Sequence, residues 1–150
     1  MSTNATLGRG LVVEHKGRAY RLAPVDHMKV VGDFEDHLRA AVLKEVDGVR
    51  RNLGSVAGEL AMKGFLELAA SGSFDFGSLY WLDCLKFARH QKALVLFCLR
   101  AEDATVTRAL AEEIYAAGYP EVDRLLYGDP EPAPGGEADP GNPAAPGSAT

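Results

Sequence analysis

The strongest constraint on how this chain folds lies between Leu11 and Val46. Val30, Val31, Phe34, Leu38, Ala41, Val42 and Val46 recur at three- and four-residue steps, the period of one face of an α-helix. Lys29, Asp33, Glu35, Asp36, Arg39 and Lys44 take the other faces. Asp26 is read as the N-cap and Gly48 as the stop. Ahead of this helix, LVVEH-KG-RAYRL reads as a β-hairpin. Lys16-Gly17 is the two-residue turn, since glycine accepts the positive φ such turns require. That register sets Leu11 opposite Leu22 and Val13 opposite Tyr20, with Glu14 diagonal to Arg21 on the wet side. Two strands alone are marginal in water, so their apolar side needs a cover, which the following helix is expected to supply.

The remainder of the chain reads as further helices. VRRNLGSVAGELAMKGFLELAASG is helical in composition but interrupted by Gly54, Gly58 and Gly64, each lowering helix propensity. Ser55 is taken as a cap for a helix ending near Ser71-Gly72. Val56, Leu60, Ala61 and Leu68 can share one face of it, with Phe65 off to one side. SGSFDFGS at 71–78 is a loop. Ser78 is read as the N-cap of SLYWLDCLKFARH, in which Leu79, Leu82, Leu85 and Ala88 line one face and Trp81 lies beside them. ALVLFCLR at 93–100 is nearly all apolar and is read as a central helix. Thr105 or Thr107 caps another, carrying Val106, Leu110 and Ile114. Gly118-Tyr119-Pro120 ends it, and PEVDRLLYG forms a short last helix.

From Asp129 the composition changes abruptly, to a proline- and glycine-rich segment without a bulky apolar residue. Such a segment cannot bury enough surface to offset its ordering entropy, so 129–150 is expected to be a disordered acidic tail. The reading is therefore a flexible 1–10, one hairpin-plus-helical domain over 11–128, and the tail. The fold class is mainly α with a small N-terminal β-hairpin (α+β), a compact domain of about five helices.

Charge and cysteine usage exclude several function classes. Without the four acidic residues beyond Gly128, the net charge falls from −5 to −1, which gives no reason to expect nucleic acid as a partner. Cys84 and Cys98 both sit in apolar stretches and match no zinc spacing, so they read as buried thiols in a reducing compartment. MSTNATLGRG lacks the apolar core of a signal peptide, and no apolar run is long enough to span a membrane. A cytoplasmic protein is expected.

The sharpest chemical constellation is Asp33, Asp36 and His37, at i, i+3 and i+4 on the first long helix. It could hold a divalent metal if a further ligand came from elsewhere, though Lys29, Glu35 and Arg39 beside it fit an ordinary solvated face. No phosphate loop, nucleophile elbow or activated cysteine is present in the sequence. The expectation is no enzyme, no cofactor and no metal. The aromatics Phe74, Phe76, Tyr80, Trp81 and Phe87 cluster and mostly read as core, while the surplus apolar surface of the helices and the acidic tail suit a protein-binding module. Phe76, Tyr80 and Trp81 are the residues expected to reach a partner.

In this order of segments the chain resembles the phage tail assembly chaperones, including those encoded by prophages. GRAYRLAPV stands where that family has its short strand segment. FEDHLRA carries an acidic-aromatic helix pattern, and GSFDFGS precedes a central helix. LVLFCLRAEDATVTRALAEEI then resembles the family's Leu-Arg segment and capped helix, and GYPEVDRLLYG the closing one. The resemblance covers about residues 10–128; a tryptophan expected in the ALVLFCLR helix is missing, and Trp81 lies one helix earlier. It implies a protein that binds the long, apolar, helical tape-measure protein, or another tail protein, in the host cytoplasm. Such a protein keeps its client from aggregating while the tail tube polymerises, and is absent from the mature particle. Self-association stays open. The acidic tail would suit a linker to a frameshifted longer form. The alternatives are a structural or scaffold component of a phage-like particle, or a small metal-dependent enzyme using Asp33, Asp36 and His37.

Overall fold

A computed structural model describes residues 10–118. The expectations for residues 1–9, for the PEVDRLLYG helix and for the tail lie outside the described residues. Within them the order is β1 (Leu11–His15), β2 (Arg18–Leu22), α1 (Met28–Leu53), α2 (Ser55–Ala70), α3 (Leu79–Cys84), α4 (Ala88–Glu102) and α5 (Arg108–Ala116). The fold is mainly helical with one antiparallel hairpin, as its sequence predicts.

The hairpin forms in the expected register, Leu11 opposite Leu22 and Val13 opposite Tyr20. Lys16 and Gly17 both take positive φ, 51° and 76°, the geometry whose twist matches that of paired strands. Leu11, Val13 and Leu22 are buried. Their cover differs from the expectation. It is α4 that lies against β2, and the Ala23 amide donates to the Cys98 carbonyl at 2.9 Å. The central helix packs on α1, α5 and β2 together, and it buries His90, Leu94, Val95, Leu96, Cys98 and Leu99. Each large apolar side chain taken from water there contributes roughly 1.5–3 kcal/mol of transfer free energy.

Helix α1 starts one residue later and ends later than its sequence suggests. His27, not Asp26, is the N-cap, its Nδ1 accepting from the Lys29 amide at 3.2 Å. The helix runs through Gly48 to Leu53. Nothing within 4 Å would meet a Cβ at Gly48, so that glycine marks neither a turn nor a close approach, and its local propensity cost is outweighed by packing. The reversal comes at Gly54, whose φ of 93° and ψ of 179° lie where essentially only glycine goes. This single residue joins α1 to α2. The two helices then pack against each other, with Gly58 so near Arg50 that an added Cβ would lie 2.8 Å from the Arg50 Cβ.

Helices α3 and α4 are separate, and the break falls inside SLYWLDCLKFARH, which the sequence reads as a single helix. Tight turns carry the chain from Leu85 to Phe87, and α4 begins at Ala88. Gln91 braces the break: its Nε2 donates to the Leu85 carbonyl at 2.6 Å, and its Oε1 accepts from the Tyr115 hydroxyl of α5. Thr107 caps α5, its hydroxyl accepting from the Leu110 amide.

Candidate functional site

Ser78 starts α3, its Oγ accepting from the Trp81 amide at 3.1 Å. From that start, positions 81, 84 and 85 fall inward, and Trp81, Cys84 and Leu85 are buried. Leu79 and Leu82 face out, so the inner face is rotated from the stripe read in the sequence. Trp81 is only 1 % exposed and cannot meet a partner. Its ring sits edge-on to Phe34 at 5.3 Å and to Phe76 at 5.0 Å. Its indole Nε1 is buried with no hydrogen-bond partner among the described residues.

Phe76 is 43 % exposed, and its backbone amide is tied to α1 by a 3.0 Å hydrogen bond to the Glu35 carboxylate. Tyr80 is half-buried against Phe74, with ring centroids 5.6 Å apart. Burial, followed by the neighbouring Cys84 thiol, pushes its phenol up to about 12. Of the three residues singled out by sequence, Phe76 offers a large face to water, Tyr80 a partial one, and Trp81 supports Phe76 from beneath.

The larger apolar surface lies elsewhere, on α2 and the end of α1. Helix α2 buries a single residue outright, Gly58. Phe65 and Leu68 lean on the core from one edge. Val56 and Leu60 are 71 % and 67 % exposed, and Leu66 and, at the end of α1, Leu53 are exposed too. The signal for this was present: α2 carries apolar residues on more faces than one packing partner can cover.

A polar constellation also emerges. His37 Nε2 and His90 Nδ1 lie 2.9 Å apart, and His90 is 3 % exposed. The Arg89 Nε donates to His90 Nε2 at 3.2 Å. A guanidinium only donates, so neutral His90 must carry its proton on Nδ1 and give it to His37 Nε2. Burial lowers both imidazoles, His90 to about 4; the Arg108 and Arg89 charges lower His37 further, and His37 and Arg89 do so for His90. Both rings are neutral at pH 7. The proposed metal triad does not assemble. Asp33 pairs with Lys29, Asp36 with Arg39 and His37 with His90, and no cluster suited to a metal occurs among the described residues. Cys98 and Cys84 are buried and free; burial pushes the Cys98 thiol up to about 12 and raises Cys84 as well. Neither is a nucleophile at neutral pH.

No helix among the described residues is long and apolar enough to cross a membrane. Comparison with protein-family models, with curated proteins and with solved structures returns no match.

Proposed function

We propose that this protein is an assembly chaperone of the phage tail kind, which covers the apolar surface of a helical tape-measure protein in the host cytoplasm until the tail tube encloses it. The observation that carries the reading is α2, a helix whose apolar side chains Val56, Leu60 and Leu66 stay in water, as does Leu53 at the end of α1. Exposed apolar side chains grouped on one element are a common mark of a protein-binding surface. A helical client presenting leucines and valines at three- and four-residue spacing can lay them along this one. Phe76, held by Glu35 and backed by Trp81, adds a rigid aromatic contact on the loop that follows α2. The chemistry asked of the chain is the exclusion of water from a partner, with no bond made or broken.

The test is co-expression with a tape-measure protein. The unaltered chain keeps that client soluble and copurifies with it, whereas a Val56→Glu, Leu60→Glu double variant leaves it in the pellet while its own helical content is unchanged. Equal performance of the two chains would remove α2 from the proposal. Mass spectrometry of purified particles separates a chaperone, absent from them, from a scaffold component that stays.

A further inference from the structure

Two cavities meet at His37 and Arg89. The smaller, of about 260 Å³, lies between α1, α4 and α5 and adds Lys92 and Arg108; the larger, of about 520 Å³, adds Lys44 and Arg51. Five cations therefore rim one groove against two carboxylates, Glu45 and Glu112. The full chain carries a net charge of −5, so this concentration runs against the whole. Lys44, Arg51, Lys92 and Arg108 make no ion pair among the described residues; Arg89 has only a 3.7 Å contact with Glu45. Arg108 also opens α5, where the positive end of the helix dipole adds to the field. The tautomer fixed by Arg89 leaves the proton of His37 on Nδ1, and that N–H has no partner among the described residues.

We propose that this groove binds a small phosphate-bearing anion, with the phosphate held by Arg89, Lys92, Arg108 and the His37 Nδ1–H. Guanidinium forks match the oxygens of a phosphate in pairs, and three helices supply the donors from different directions. The larger cavity, floored by Ala40 and Ala41 and edged by Lys44 and Arg51, has room for the body of a phosphate ester. The anion is inorganic phosphate or a nucleoside phosphate, and the two share the same anchoring chemistry. This site is independent of the apolar surface of α2 and stands or falls without it.

The chain has four histidines, two of them in the groove and two, His15 and His27, outside it. The full-length protein is titrated with sodium phosphate, and separately with adenosine diphosphate, at constant ionic strength and neutral pH, following the imidazole C2–H signals. The expected result is a saturable shift at His37 and His90 with none at His15 or His27. The imidazole of His37 then titrates at higher pH, because the anion offsets Arg89 and Arg108. Arg108→Gln weakens binding about tenfold, the loss expected of one charge-assisted hydrogen bond, and Lys63→Gln on α2 leaves it unchanged. Tighter binding of adenosine diphosphate identifies an ester as ligand, and equal binding identifies phosphate itself. No saturable shift, a shift shared by all four histidines, or an Arg108→Gln protein that binds like the original would overturn the proposal.

Discussion

Helices α2 and α4 have nearly the same length, 16 and 15 residues, and opposite fates. The central helix buries six side chains among two neighbouring helices and a strand, whereas α2 buries one glycine against a single partner. Composition does not separate them, since α2 has fewer charged residues than α4. Position does. A helix with neighbours on three sides satisfies almost any apolar pattern, while a helix docked along one edge must leave its remaining apolar residues in water. Apolar content reports how much surface a segment wishes to bury, and topology decides how much it can.

The comparison can be broken most directly by truncation. Leu94→Ala in α4 is expected to cost about 2–5 kcal/mol, the range for a large-to-small change in a packed core. Leu60→Ala in α2 should stay within about 0.5 kcal/mol, as exposed sites do. Urea unfolding measures both, and similar costs would mean that α2 is covered. The one tight contact of α2 comes next. Gly58→Ala places a methyl against Arg50 and is expected to destabilise by about 1–3 kcal/mol. At Gly64 nothing lies within 4 Å, so Gly64→Ala should gain up to ~1 kcal/mol from helix propensity alone.

Acid sensitivity sharpens the contrast from the other side. The folded-state pKa of His90 lies below its unfolded value near 6.5, so the unfolded chain binds the extra proton first. The contribution of a neutral His90 is fully present above pH 6.5 and is lost as the pH falls through about 4. A His90→Leu variant should show a flatter decline of stability across that window, read from melting temperatures. The smallest effect belongs to the surface of α2, where Val56→Glu should leave both stability and its pH profile unchanged.

Much of the architecture is legible in the sequence because local rules and packing agree there. The Lys16-Gly17 turn fixes a register that alternation independently demands. Ser78 and Thr107 cap the helices their positions announce. Gly48 misleads because propensity is a weak term, overridden once Val46 is buried and Arg50 meets α2. The break after Leu85 is invisible in the sequence: neither proline nor glycine marks it, and the side chain that braces it, Gln91, belongs to the next helix. The placement of Trp81 turned on which face of α3 packs inward: the helix starts at the expected cap, Ser78, but Trp81, Cys84 and Leu85 take the core side instead of Leu79 and Leu82. The basic groove could not be read at all, since His37, Arg89 and Arg108 come from three helices and only their packing brings them together.

The chain contains one tryptophan, and its ring touches Phe76, which in turn touches solvent. That arrangement makes the indole an intrinsic fluorophore with two readings. Exposure on denaturation moves its emission to the red, while a guest settling on the outer phenyl alters the surroundings of the indole without exposing it. Folding and occupancy of that patch can thus be followed in the same cuvette with no label attached.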